Sequence, residues 1–260
     1  MGELIKLERV SMAYGRAERA VKAIEEVSIS VAEGEFCAVV GPSGCGKSSL
    51  MRLISGLHPP LGGTLTVEGR PVTGPLKKVG MAFQNANLLP WRTAAQNVLL
   101  PLEIVQPHRS RLRAERTAYL ERARKLLESV GLTGFTEKFP WELSGGMQQR
   151  TSICRALIHE PEILMLDEPF GALDAFTREE LWCTLRDIQA QQKVTVMLVT
   201  HDLREAVFLA DTVYVMSSHP GRIVKRCEVT LPRPRDLDVT YTLEFQDIVH
   251  ELRALIGGRH

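Results

Sequence analysis

The chain has 260 residues, 44% apolar and 24% charged, and 32 basic residues against 31 acidic ones leave a net charge of +1. This ordinary globular composition excludes a collagen, a disordered tail and a membrane-embedded protein, and near-neutrality argues against general electrostatic attraction to nucleic acid. At roughly 100–200 residues per domain, the length fits one large domain or two modest ones, with enough core to need no disulfide or metal staple.

The first residues, MGELIKLERV, carry Glu3, Lys6, Glu8 and Arg9. Those charges do not fit a signal peptide, and Lys6 stands where a myristoylation signal wants Ser or Thr. No stretch approaches the ~20 apolar residues of a membrane helix, so any work at a membrane is expected to go through a partner. Strands are predicted over residues 3–10 and over 27–31, where Val27, Ile29 and Val31 alternate with polar residues. Residues 36–40 form a continuous apolar run ending at glycine, the profile of a buried strand in a covered sheet. Further strands are predicted at 64–67, 79–83, 163–166 and 194–199. From about Arg111 to Val130, apolar residues at three- and four-residue spacing predict one amphipathic helix. Its arginines, mixed with Glu115 and Glu121, read as a solvated face rather than an anion-binding patch. Phe245, Ile248, Val249, Leu252, Leu255 and Ile256 predict a C-terminal helix that packs on its own domain. Strands alternating with helices imply a parallel sheet covered on both faces, with chemistry gathered at the carboxyl ends of its strands. Cys37, Cys45, Cys154, Cys183 and Cys227 form no C-x-x-C pair, which fits reduced thiols in the cytosol.

Residues 41–48 read GPSGCGKS after an apolar strand and before helix-compatible sequence, which is the complete phosphate-loop pattern in its proper context. Gly41, Gly44 and Gly46 let successive backbone N–H groups approach phosphate oxygens, and the following helix adds its positive end. Lys47 supplies a full charge to the β- and γ-phosphates, and Ser48 offers a hydroxyl to Mg²⁺. Residues 163–168 read ILMLDE. Asp167, ending a buried strand, is suited to hold Mg²⁺ through its water shell, and Glu168 is suited to polarise an attacking water. At this point a kinase, a GTPase and a transport ATPase remain open. The absence of N-K-x-D removes the guanine-reading signal of a GTPase.

LSGGMQQR at residues 143–150 resembles the signature motif of ABC-type ATPases, and it lies shortly before ILMLDEPFGALD, where that family has it. The resemblance covers almost the whole chain. Tyr14 matches the aromatic that stacks on adenine, Gln84 the glutamine loop, Leu173 and Asp174 the loop after the catalytic glutamate, and His201 the switch histidine. It implies an α/β fold with a P-loop NTPase (RecA-like) core, a mainly parallel sheet and an N-terminal antiparallel β part. It also implies an inserted helical subdomain over about 86–158 and a C-terminal helical segment over about 232–260. The implied substrate and cofactor are ATP and Mg²⁺. Nucleotide contacts then fall to Tyr14, Gly41, Pro42, Ser43, Gly44, Cys45, Gly46, Lys47, Ser48 and Ser49. Ser144, Gly145 and Gly146 would contact the γ-phosphate bound by the opposite subunit in a head-to-tail homodimer, and Asp174 joins the nucleotide-binding residues. Catalysis falls to Glu168, His201, Gln84 and Lys47, and Mg²⁺ to Ser48, Gln84 and Asp167.

FQNANLLPWRTAAQNVLLPLEI at 83–104, GALDAFTREELW at 171–182 and SSHPGRIV at 217–224 resemble the ATPase subunits of nitrate/sulfonate/taurine-type importers. LLPWRT followed by NVLLPLEI inclines toward their branch for pyrimidine precursors of thiamine. The implied partners are polytopic permease subunits and, indirectly, a periplasmic or lipid-anchored solute-binding protein, with no nucleic acid, at the cytoplasmic face of the bacterial inner membrane. Leu88–Trp91 is expected as a turn holding apolar groups toward the permease. The alternative is a non-transport ABC ATPase acting on nucleic acid or ribosomes. Such relatives typically carry coiled-coil insertions or two cassettes, neither of which this length accommodates. A small-molecule kinase leaves the SGG loop without a task.

Overall fold

The computed structural model describes residues 2–15, 20–171 and 173–257. Ala172 and residues 258–260, which fall within two of the segments singled out in the sequence, lie outside the described residues. In chain order the elements begin with β1 (Glu3–Tyr14), β2 (Val21–Ala32), β3 (Phe36–Val40), α1 (Lys47–Ile54), β4 (Gly62–Val67) and β5 (Arg70–Pro71). They continue with β6 (Val79–Ala82), α2 (Ala94–Leu99), α3 (His108–Arg111), α4 (Arg116–Ser129), α5 (Gly145–Leu157) and β7 (Ile163–Asp167). The last are α6 (Ala175–Gln192), β8 (Thr195–Thr200), α7 (Leu203–Leu209), β9 (Thr212–Met216), β10 (Ile223–Glu228) and α8 (Leu243–Gly257). The chain forms two compact units, Met1–Leu76 with Gln189–His260, and Lys77–Ile188.

In the first unit, β3 is buried along its whole length and pairs in parallel with β8 on one side and β9 on the other, with β10 antiparallel at the edge. The register sets Val40 opposite both Thr200 and Val215. The segments that follow β3 and β8 therefore leave from one edge of the sheet, as expected for chemistry at carboxyl ends. A second, antiparallel sheet runs in the order β2-β1-β4-β5.

β1 and β2 are longer than their alternation predicts, and bulges explain why. The pairing register shifts between Leu7 and Val10, and Arg9 adopts φ +50°, so buried Leu7 and Val10 stand three residues apart instead of two. Glu26 (φ +49°) does the same in β2, setting Ile24 and Val27 three apart. An extra residue reverses the inward phase of a strand and hides its continuation from a period-two reading. The two bulged residues also form an ion pair at 2.8 Å.

The C-terminal helix packs on its own unit as predicted, with α8 against α7 and β9 and with Phe245 and Leu252 buried. The preceding segment carries Arg235, a buried guanidinium that donates to the carbonyls of Val207, Phe208, Ala210 and Val229 at 2.6–3.1 Å. It thereby caps the C-terminal end of α7, whose last carbonyls lack partners within the helix. Burial lowers the Arg235 pKa to about 10.

In the second unit, β6 and β7 pair in parallel and α2, α4 and α5 pack together. The expected helical subdomain at about 86–158 lies within this unit. The helix predicted over 111–130 is a single helix, α4, that starts five residues later than expected, at Arg116, and is preceded by the separate short α3 ending at Arg111. No residue from Arg111 to Glu115 is buried, so nothing holds that stretch against a core, and α4 starts where Tyr119, Ala123 and Leu127 begin to pack. Arg122 pairs with Glu160 and Arg124 with Glu121, in keeping with a solvated face. Among the described residues no helix is long and apolar enough to cross a membrane. No disulfide joins the five cysteines.

Candidate functional site

The loop from Gly41 to Gly46 joins β3 to α1, and its shape depends on missing side chains. A Cβ on Gly41 would meet the Met216 carbonyl oxygen at 2.6 Å. Gly46, the N-cap of α1, has φ +105° and would drive a Cβ to 2.7 Å from the Ala23 oxygen. Lys47 is 5% exposed, and its Nζ spans the loop to donate to the Gly41 and Pro42 carbonyls at 2.9 and 3.0 Å. Ser43, Gly44 and Ser48 are exposed, Pro42 is half-buried, and Cys45 is buried. The result is a solvent-open ring of backbone at a helix N-terminus with an ammonium across its mouth, which is chemistry for a polyphosphate.

Tyr14 ends β1, 37% exposed, with its hydroxyl 3.1 Å from Ser49 Oγ on α1. His201 follows β8 in an exposed turn. That turn is braced locally. The Asp202 backbone N–H donates to Thr200 Oγ1 at 2.9 Å, and the Asp202 carboxylate accepts from the N–H groups of Arg204 and Glu205 to cap α7.

The second unit holds the remaining predicted residues. Asp167 ends β7, 8% exposed, and half-buried Glu168 follows it with φ +47°, a left-handed conformation that a side chain adopts only at a cost of about 1–2 kcal/mol. Gln84 Nε2 donates to Glu168 Oε2 at 3.4 Å. Ser144 caps α5, its Oγ accepting from the Met147 N–H at 3.3 Å, and leaves Ser144 and Gly145 exposed at the helix N-terminus. Asp174 Oδ1 accepts from the Thr177 N–H at 3.0 Å at the start of α6, and these bonds hold its pKa below the usual carboxylate range.

Three side chains that the sequence does not advertise fix the loop after β6. Buried Gln149 donates to the Phe83 carbonyl at 2.9 Å. Arg155 donates to the carbonyls of Ala86 and Asn87 at 2.6 and 2.9 Å. Asn97, fully buried, accepts from the Leu89 N–H at 2.7 Å and donates to the carbonyls of Leu89, Arg92 and Thr93 at 3.0–3.1 Å. The turn so fixed presents Trp91 at 69% exposure, with Pro90 exposed and Leu88 and Leu89 half-buried. Arg92 beside it makes a two-pronged ion pair with Glu103 at 2.6 and 3.0 Å. Both line a groove of about 280 Å³ with Gln96, Leu99, Leu112 and Arg116. The capping box of Thr93 and Gln96 was legible as T-x-x-Q, but nothing local marks Asn97 or Gln149.

The phosphate loop, the strand-end carboxylates and the capped glycines of α5 define an ATP-binding cassette. The family model of the ABC transporter matches residues 24–171, and the chain belongs to that family. It is 44% identical over 223 residues to the aliphatic sulfonates import ATP-binding protein SsuB of Bacillus licheniformis, covering 86% of this chain and 84% of the relative. It is 45% identical over 204 residues to the taurine import ATP-binding protein TauB of Yersinia pestis, covering 78% and 77%. Among solved structures, the dimeric post-hydrolysis state of the ATP-binding cassette MJ0796 bound to ADP and Pi superposes with a TM-score of 0.75 at 30% identity. That match spans 88% of this chain and all of the other. The P-loop cassette fold and the family expected from the motifs are thus the ones found.

Proposed function

We propose that this protein is the ATP-hydrolysing subunit of an importer of a small sulfonate-type solute, working as a homodimer on the cytoplasmic face of the bacterial inner membrane. The observation that carries the reading is the Gly41–Ser48 loop, with Lys47 held across its mouth. The import ATP-binding relatives supply the solute class. Choice among solutes belongs to the membrane subunits and a solute-binding protein, since nothing in this chain's motifs addresses a sulfonate.

Loop N–H groups and Lys47 bind the triphosphate, and Tyr14 stacks on adenine. Glu168 takes the proton from the attacking water, giving ADP and phosphate, and His201 orients the γ-phosphate. Ser48, Asp167 and the Gln84 carbonyl oxygen would hold Mg²⁺. They are hard oxygen donors with one carboxylate, the set that suits an ion shared with substrate phosphates. Gln84 bonds Glu168 through its amide nitrogen, which leaves that oxygen out of the contact. Mg²⁺, when bound, neutralises charge on the β- and γ-phosphates.

The Ser144-capped N-terminus of α5 offers free N–H donors to the nucleotide of the opposite subunit. ATP then favours the closed dimer because that state alone satisfies these donors, and differential affinity is what shifts a population. The fixed turn ending at Trp91 and the groove beside it serve as the permease-facing surface. Glu168→Gln tests the scheme. It should bind ATP and dimerise yet lose turnover by roughly 10²–10⁴-fold, the range for a general base. Wild-type turnover in that variant removes Glu168 from its role.

A further inference from the structure

Tyr14 is not a lone aromatic at the end of a strand, because its hydroxyl is held from two sides by α1. Arg52 Nη1 donates to the Tyr14 oxygen at 3.1 Å. The phenolic oxygen accepts that bond and also lies 3.1 Å from Ser49 Oγ, a pair of hydroxyls in which either can donate. Ser49 and Arg52 stand three residues apart on α1, so they share one face of the helix. His58 closes the third side. Its ring meets the Tyr14 ring edge to face, with centroids 5.5 Å apart and planes at 69°. The His58 ring is itself fixed, because Nδ1 lies 2.8 Å from the Pro59 carbonyl, which can only accept.

We infer that Arg52, with Ser49 and His58, is a positioning clamp that holds the Tyr14 ring at a set place relative to the phosphate loop. The physical logic is preorganisation. Arg52 and Ser49 lie on the same helix whose first residues are Lys47 and Ser48. One rigid element then sets both the cradle for the phosphates and the platform for the base. A ring free to rotate about its side-chain bonds would have to be ordered on each binding event, which weakens binding of the base-bearing ligand. Arg52 touches neither base nor phosphate in this account and acts only through Tyr14. The inference rests on the reading that Tyr14 stacks on adenine.

The test compares a ligand that has a base with one that has none. Binding of ATP and of inorganic tripolyphosphate is measured calorimetrically, with Mg²⁺ present, on the full chain and its Tyr14→Phe, Arg52→Met, Arg52→Lys and Tyr14→Ala variants. Loss of one or two hydrogen bonds to the ring should weaken ATP roughly three- to tenfold in Tyr14→Phe and Arg52→Met. Tripolyphosphate affinity should stay at the wild-type value in both, and Arg52→Lys should recover part of the ATP loss. The double variant Tyr14→Phe/Arg52→Met should be no weaker than the worse single one, because both remove the same contact. Equal weakening of both ligands by Arg52→Met would mean that Arg52 acts through the phosphate loop, and would overturn the clamp. Unchanged ATP affinity in Arg52→Met and Tyr14→Phe, with a loss in Tyr14→Ala, would discard the clamp and leave stacking intact. Unchanged affinity in Tyr14→Ala would remove the stacking reading and the clamp together.

Discussion

Replacing Asn97 by alanine should be among the most damaging changes outside the phosphate loop, although Asn97 reaches no nucleotide group in the proposed scheme. The side chain is fully buried and connects the 89–93 turn to the first turn of α2 through one accepted and three donated hydrogen bonds. With two amide protons shared among three carbonyls, the net number of full bonds is about three, at about 1 kcal/mol each. Alanine also strands the Leu89 N–H, and a stranded donor in this half-buried turn adds about 1 kcal/mol. Some of that returns if water or turn rearrangement satisfies the groups, so the expected loss is about 3 kcal/mol. Asn97→Asp sharpens the test, because its shape is the same and its oxygens can still accept from Leu89. It would place a carboxylate against the three carbonyls, so it should cost at least as much as alanine. Urea denaturation followed by tryptophan fluorescence reads the effect as a shifted midpoint at constant slope. A loss under about 1 kcal/mol in both variants would refute the claim that this one side chain holds the turn.

Two further outcomes follow from the same residues and their surroundings. Trp91→Ala removes an exposed aromatic from a fixed turn, so folding stability should stay within about 0.5 kcal/mol. Capture of membrane subunits should weaken roughly thirtyfold, as for an interface anchor. Equal capture by both forms, measured in detergent with matched protein amounts, would move the docking surface elsewhere. Burial, aided by the nearby charges of His108 and Arg122, holds the His159 imidazole below its ordinary value of 6.5. Its neutral form is thus favoured in the fold, so the stability it contributes is intact above about pH 6.5 and is lost as pH falls below that value. The melting temperature of the wild type should drop more between about pH 7.5 and about pH 5.5 than that of His159→Met. Parallel curves would show that His159 does not titrate on unfolding.

Much of the candidate site was legible because its chemistry is contiguous in the chain. GPSGCGKS and ILMLDE each carry their strand, turn and reactive residues within a few positions, so spacing alone conveys the local geometry. The same holds for Ser144, whose cap on α5 needs only the next three residues. The bulges at Arg9 and Glu26 were not legible, since each depends on the partner strand and breaks the alternation that a strand is read by. The late start of the helix expected over 111–130, at Arg116, was hidden for a related reason. The apolar spacing is helical, but which residues find a core is decided by α2 and α5. The braces on the Leu88–Trp91 turn are the hardest case. Gln149 and Arg155 reach across more than sixty residues to the backbone of Phe83, Ala86 and Asn87, and no local pattern encodes such a contact.

The central claim, that this cassette energises a membrane transporter, is tested most directly by isolating the full chain from its native membrane in mild detergent and identifying what accompanies it by mass spectrometry. The account predicts a polytopic membrane protein in stoichiometric amount with a pair of these subunits. Recovery with nucleic acid or ribosomes, and with no membrane protein, would contradict it.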